Sequence, residues 1–565
     1  MSGGISRRQA IHRGLIAAGG LVLADGLSFR ALTAAPPSRT DLPPLPGEFP
    51  ANLRRPVPVE DLNQAVVFTV NQPTISEYGV DLSRCIGSDV LIRGWFKWDE
   101  APTVQQWRWI PPRIHQQGAL FGGGITCSAL YDKENGITHA QLLDMATRAP
   151  DGQLVDAWGQ PGLRHGSLSS PAHLDYLFRW CREQMDAGAD HLFMDENTAA
   201  LRPNEGYDDH SLDDFRLYLL RHFSATQDWA PNDARWQTRF KIELTNSKIC
   251  PDGDMRSFSY RAYLRERGLL ANPQGRDNPL AAAWRQFRVW RDDRAWKGLT
   301  DRIRAYAAGK DRRVFISANG LVRYVDLQVL GVWNRWRVKE GQVDLSRSQL
   351  PDWRKWVLQG HALAGKRVPV VFFHDWGMGK PPFPWLAVAP SQRKLWMRIR
   401  GAEIYAAGGF FAFPVLGPFG CDAARDGTLE TIARQTRYYQ THRRLYSEGQ
   451  FLDKELAHTT APNLSLAVWT TGRPRELAIH VVNREADNDR ISPRSNFTVR
   501  LPLASLPESA DAVSPDWPGE SLVSCALVDR GLTVTVKDLG AYAVVRLRLG
   551  AEFENLLRQG GSPAI

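Results

Sequence analysis

Residues 170–200 read SPAHLDYLFRWCREQMDAGADHLFMDENTAA, and they decide the fold. Ser170 is a helix-cap residue, and Pro171 suits the first helical turn, where a missing N–H leaves no bond unmade. Leu174, Leu177, Phe178, Cys181 and Met185 recur on one stripe at helical spacing, and Gly188 stops the helix. DHLFMD (190–195) follows at once. It is apolar on both alternations, as a parallel strand is when helices cover both faces of its sheet. Two adjacent carboxylates, Asp195 and Glu196, stand where this strand becomes a loop.

The same pattern extends in both directions. Candidate strands lie at 89–98, 118–128, 154–159, 190–195, 313–320, 326–333, 368–377 and 408–415, with helical sequence between most of them. A second clear helix, 391–407, carries Leu395, Ile399 and Ala402 on one side. Eight alternations within 59–452 predict a (β/α)8 barrel, with a doubly wound sheet as the alternative. An insertion at 201–300 falls after the fourth strand, where barrel loops wall the catalytic rim. Its acidic cluster, Glu205, Asp208, Asp209, Asp213 and Asp214, reads as helix-start charge, with Ser211 and Asp214 as a capping box. Gly122, Gly123 and Gly124 fall in the second strand and read as a bulge rather than a phosphate cradle.

Beyond 452 the pattern changes. Six short alternating runs within 453–550, from LSLAVWTT to AYAVVRLRL, are separated by Pro, Gly, Asn and Asp, which predicts an antiparallel β-sandwich. Residues 551–565 are a polar tail. At the other end, Ser6-Arg7-Arg8 precedes the weakly apolar GLIAAGGLVLADGL. Residues 1–35 therefore read as a twin-arginine-type signal for export to the periplasm or outside. The proline-rich segment 36–58 reads as a linker.

Composition excludes several classes. With 43% hydrophobic and 23% charged residues the chain is globular, and no later run is long and apolar enough to span a membrane. Net charge is +9, but without a basic block interleaved with aromatics there is no nucleic-acid signature. The six cysteines form neither C-x-x-C nor a Cys/His cluster, so neither a metal nor a disulfide framework is expected. No P-loop, H-E-x-x-H, G-x-S-x-G or dinucleotide motif is present, and no cofactor is expected. The oligomeric state is unspecified. The 20 tryptophans are a surplus that suits core filling and, for some, stacking on sugar rings.

Barrel chemistry sits at the carboxyl ends of the strands. Those ends offer Trp98, Trp158, Asn197, Asn319, Trp333, Arg335, His374 and Trp376, with His165 as a further polar group, all candidates for binding sugar. Catalysis of glycosidic cleavage needs two carboxyl groups flanking the bond. Asp195 is the leading one. Adjacent strand residues point in different directions, so Glu196 and, from another strand, Asp375 compete as its partner, ahead of Asp99, Asp326 and Glu340.

The passage 170–196 resembles the helix, G-A-D-G, strand, D-E passage of barrel glycoside hydrolases. HVVNREADNDRI, VRLPL, VSPDW and LTVTVKDLGAYAVVRL are similar to the sandwich of dextranase-like and related glycosidases. The resemblance implies a barrel glycosidase acting on a polysaccharide or oligosaccharide. It also implies a strand-four Asp nucleophile, which matches Asp195, and a strand-six Glu acid, where this chain has GVWNRW. In the group with Asn-Glu on strand four and Glu on strand seven, this chain has Asp195-Glu196-Asn197 and Asp375. A non-catalytic glycan-binding barrel, a lyase and a transglycosidase are the alternatives.

Overall fold

The computed structural model describes residues 44–54, 56–57, 61–71, 77–92, 108–197, 204–331, 338–339, 341–373, 388–416, 427–452, 456–550 and 553. Eight parallel strands, β1 (Phe68–Asn71), β2 (Val90–Ile92), β3 (Leu120–Thr126), β4 (His191–Asp195), β5 (Phe315–Ala318), β6 (Gln328–Gly331), β7 (Val370–Phe373) and β8 (Phe410–Leu416), form one sheet. Their order, β5-β4-β3-β2-β1-β8-β7-β6, is cyclic. Asn319 bridges to Val329 and joins the two ends. A doubly wound sheet has open edges, so this order defines a (β/α)8 barrel.

Helices α1 (Glu77–Ile86), α2 (Ile110–His115), α3 (Pro171–Asp186), α4 (Asp209–Gln227), α5 (Ala281–Ala308), α6 (Leu350–Ala364), α7 (Pro390–Ala406) and α8 (Leu429–Thr441) carry most of the helical sequence. Ser170 caps α3 by accepting from the His173 N–H, and the helix buries Tyr176, Leu177, Trp180, Cys181 and Met185. Residues 319–327 connect β5 to β6 without a helix.

Two features of the predicted barrel are corrected. The first strand is Phe68–Asn71, so 89–98 contains the second; a short run such as VVFTV, apolar but for Thr69, carries no periodicity to mark it. The run 154–159 is not a barrel strand: Ala157–Gly159 is a turn of 3-10 helix. It belongs to an excursion between β3 and α3 that also holds a small hairpin, Ala129–Tyr131 with Leu163–His165. The two errors cancel, and Asp195 ends the fourth strand as expected.

The triple glycine is also not a bulge. Gly122, Gly123 and Gly124 pair in unbroken register with His191, Leu192 and Phe193. They are small because a Cβ on Gly122 would collide with the Leu91 carbonyl oxygen and lie 2.7 Å from His191 Nδ1, and one on Gly123 would collide with the Gln184 side chain. Gly122→Ala is therefore expected to destabilise the chain by about 1–3 kcal/mol through overpacking. The measurement is the urea midpoint, and an unchanged midpoint would refute the packing account.

The insertion builds its own core from Phe215, Phe223, Trp229, Trp236, Tyr260, Trp284 and Phe287. Eight of the described tryptophans are buried, so much of the surplus is core. The cap of α4 is Asp208, whose side chain accepts from the Ser211 N–H; the predicted Ser211 cap is three residues late. Part of the predicted linker is docked: Phe49 is buried against Gly87, and Val57 joins the barrel core.

The carboxyl-terminal unit is a sandwich of β9 (Leu464–Thr470), β10 (Glu476–Asn483), β11 (Arg494–Leu501), β12 (Ser509–Val513), β13 (Glu520–Leu522), β14 (Ser524–Val528), β15 (Gly531–Leu539) and β16 (Tyr542–Arg548). One sheet runs β9-β10-β16-β12-β13 and the other β11-β15-β14. Val481, Val499, Val534 and Val545 fill the space between them. The outer face of the larger sheet packs on the barrel, where Ala478, Val482 and Val544 share a core with Ile399 and Tyr439. Trp469 donates through Nε1 to the Ala406 carbonyl at 2.9 Å, and the Tyr446 and Tyr542 hydroxyls meet at 3.0 Å.

Candidate active site

Alternation along β4 determines which side chains face the barrel axis. His191 and Phe193 point inward: His191 Nε2 lies 2.8 Å from Ser317 Oγ of β5, and the Phe193 ring meets Phe373 of β7 edge-on at 6.0 Å. Leu192 and Met194 point outward, with Met194 against Cys181 of α3. Asp195 has the parity of His191 and Phe193, so it rises on the inward face at the mouth of the barrel. It is 1% exposed.

Around it stand polar groups from β3 and β4. Thr126 is the register partner of Asp195, and the Cys127 N–H donates to the Asp195 carbonyl at 2.8 Å. The Thr126 hydroxyl and both polar atoms of the Asn197 amide are buried with no hydrogen-bond partner among the described residues. Buried polar groups left in that state cost about 1–3 kcal/mol each. Such groups at a strand end are suited to a polar ligand.

Glu196 differs from its neighbour. Its φ is +51°, in the left-handed region, which a β-carbon disfavours by about 1–2 kcal/mol. That turn carries the side chain to the β3 loop, where Ser128 Oγ donates to Glu196 Oε2 at 2.5 Å. Of the adjacent pair, Asp195 shares the inward parity, and Glu196 is held against the wall.

The other expected residues divide into three groups. Asn319 follows β5 at the same end and is half-buried, so it stands at the rim. His165 lies on the hairpin after β3, buried, with Nδ1 2.9 Å from Glu205 Oε2. Trp158 belongs to the 3-10 turn of the same excursion. Trp98, Trp333, Arg335, His374, Asp375 and Trp376, with Asp99 and Glu340, lie outside the described residues. Asp326 is at the opposite end of the barrel, accepting from Arg304, Lys366 and the Ile316 N–H.

Glu205 is the residue that sequence reading missed. Counted there as helix-start charge, it is 0% exposed, because its loop docks on the rim excursion. The Gly206 N–H donates to Thr147 Oγ1 at 2.8 Å and the Tyr207 N–H to the Arg148 carbonyl at 2.9 Å. Spacing from Glu205 to His165 carries no signal for this contact. No cluster of potential metal ligands occurs among the described residues.

Burial holds His191 neutral, with its pKa lowered to about 3, and does the same to His480 in the sandwich. Below pH 6.5 the unfolded chain takes up protons that these folded imidazoles refuse. Their contribution to stability is complete above pH 6.5 and declines as pH falls towards 3. At a limiting slope of about 1.4 kcal/mol per pH unit per group, these two are expected to lose about 3 kcal/mol between pH 6.5 and 5, and His361 and His442, lowered by burial to about 4, steepen the slope in the same direction. Urea midpoints across that range check it; with four such histidines contributing, His480→Gln should flatten the slope by about a quarter.

No protein-family model matches the sequence, and no curated protein matches it by sequence. Among solved structures, the chain is similar to a cycloisomaltooligosaccharide glucanotransferase from Paenibacillus sp. in complex with cycloisomaltoheptaose. The two share 10% identity, with 86% of this chain and 85% of that one covered at a TM-score of 0.53. A maltogenic alpha-amylase, AmyB, from Thermotoga neapolitana aligns over 85% of this chain and 99% of its own at 8% identity and a TM-score of 0.46. At this identity the glucanotransferase likeness establishes a common architecture, the barrel with carboxyl-terminal β-sheets.

Proposed function

We propose that the chain is an exported glycoside hydrolase that cleaves a polysaccharide or oligosaccharide, with Asp195 as its leading catalytic carboxylate. The observation that carries this reading is a buried carboxyl on the inward face of β4, at the end of the barrel where loops converge. The buried Asn197 amide and Thr126 hydroxyl are groups that sugar hydroxyls would satisfy.

Asp375 is the favoured second carboxyl. It follows Phe373 by two residues, as Asp195 follows Phe193, and those two rings meet from non-adjacent strands. One carboxyl would protonate the leaving oxygen, and the other would attack the anomeric carbon or activate water. Glu196 serves in this reading as a wall residue tied to Ser128, and His165 as a partner of Glu205.

The test is a glycan panel scored for new reducing ends, with the anomer of the first product followed by NMR. Transfer products are scored in the same samples, since the glucanotransferase with this architecture is a transfer enzyme by name. Release of an unsaturated sugar would assign a lyase instead. Export rests on Arg7-Arg8 and the apolar run after them; Arg7→Lys with Arg8→Lys should leave the full chain in the cytoplasm.

A further inference from the structure

We propose that the amino-terminal face of the barrel, opposite Asp195, binds an anionic sugar: a mono- or disaccharide carrying a phosphate or a carboxylate. A cleft of about 440 Å³ opens there between the end of α5, the approach to β5 and the loops entering β6 and β7. Its volume is within the range of small-ligand sites, roughly 300–1,000 Å³, and exceeds what a bare inorganic anion fills. Arg304, Arg312, Arg313 and Lys366 line it, and Asp326 is the carboxylate among its lining residues.

The cations are positioned by named contacts. Asp326 accepts from Arg304 Nη2 at 2.9 Å and from Lys366 Nζ at 3.3 Å, so one carboxylate draws both to the same wall. Arg304 also donates to the Tyr324 carbonyl at 2.8 Å. Arg312 is fixed by the Met185 and Ala189 carbonyls, with Asp190 3.7 Å away. The Arg313 guanidinium lies 5.5 Å from the centre of the Phe315 ring. Four cations stand against two carboxylates, Asp326 and Asp190, so this wall carries more positive than negative charge, and an anion in the cleft would be attracted to it.

Tyr324 supplies the second feature. It is an aromatic residue at φ +63°, a backbone conformation rare for a bulky side chain and found where neighbouring structure enforces it, often at ligand sites. Its hydroxyl is anchored on Asp293 at 3.0 Å, and the residue forms part of the cleft wall. A cleft of this size with cations along its wall is suited to a sugar that bears a charge, rather than to a neutral sugar or a bare ion. The site does not depend on the proposed rim chemistry, and its test needs no turnover.

Calorimetric titration of the full chain at low salt, with glucose 6-phosphate, glucuronate, glucose and inorganic phosphate, tests the proposal. Saturable binding of at least one charged sugar is expected, at least about tenfold tighter than inorganic phosphate and weakened by added salt, with no binding of glucose to this face. The tighter of the two charged sugars identifies phosphate or carboxylate as the recognised group. Lys366→Ala combined with Arg313→Ala removes two exposed cations and should weaken that binding at least about tenfold, with the thermal midpoint unchanged. The proposal is overturned if neither charged sugar saturates, if inorganic phosphate binds as tightly, or if affinity survives the double substitution.

Discussion

Asp195→Asn is expected to abolish glycan cleavage, lowering kcat/KM by about a thousandfold or more while the chain stays folded. General acid or base catalysis alone accounts for about 10²–10⁴, and loss of a nucleophile reaches further. Asparagine keeps the size of the side chain at a 1%-exposed position, so no cavity is opened at the mouth of the barrel. Reducing-end release by wild type and variant, alongside a thermal melt, separates lost chemistry from lost fold. The parallel change Asp375→Asn should be equally severe if Asp375 is the second carboxyl. Should cleavage survive both changes, the assignment of the acids is wrong. Should Glu196→Gln alone abolish it, the chemistry belongs to the neighbour tied to Ser128.

Glu403→Leu is expected to cost about 3–5 kcal/mol of stability, because it strips a buried carboxylate from buried cations. Glu403 lies on α7 at the joint between barrel and sandwich and is 0% exposed. It accepts from Arg400 Nη1 at 2.6 Å, Ser348 Oγ at 2.9 Å and the Gln349 N–H at 3.2 Å. Arg484 approaches it from the sandwich side at 3.9 Å and donates to the Leu345 and Ser346 carbonyls. Burial lowers the pKa of Arg484, and Glu403 opposes that shift. Without the carboxylate both guanidinium groups remain in a low-dielectric joint. The urea midpoint measures the loss, and a change under about 1 kcal/mol would show that water reaches the joint. Adding Arg400→Leu should recover part of it, since an apolar pair has no charge to desolvate.

Both effects depend on contacts between distant segments, and that is where sequence reading reached its end. Helix 171–186, with its Ser170 cap, and strand 191–195 were legible because cap, stripe and stop are local signals. The sandwich was legible because alternation and turn residues are local as well. Strand β1 was not: Phe68, Thr69 and Val70 are buried by neighbours rather than marked by periodicity. The run 154–159 misled for the converse reason, since a few apolar residues suggest a strand wherever no partner is specified.

By itself the sequence determined that strands and helices alternate, that a second β-rich unit follows, and that Asp195 ends an apolar strand. These depend on backbone preference and hydrophobic spacing over a few residues, which the chain carries within itself. Only the tertiary structure decided that the sheet closes from β5 to β6 and that Asp195 shares the inward parity while Glu196 turns to Ser128. It alone brought Glu205 beneath the rim against His165 and gathered Arg304, Arg313 and Lys366 at the far end. Residues 40 positions apart or more meet there because packing, hydrogen bonding and exclusion of water fix their places, and none of those forces is written in local spacing.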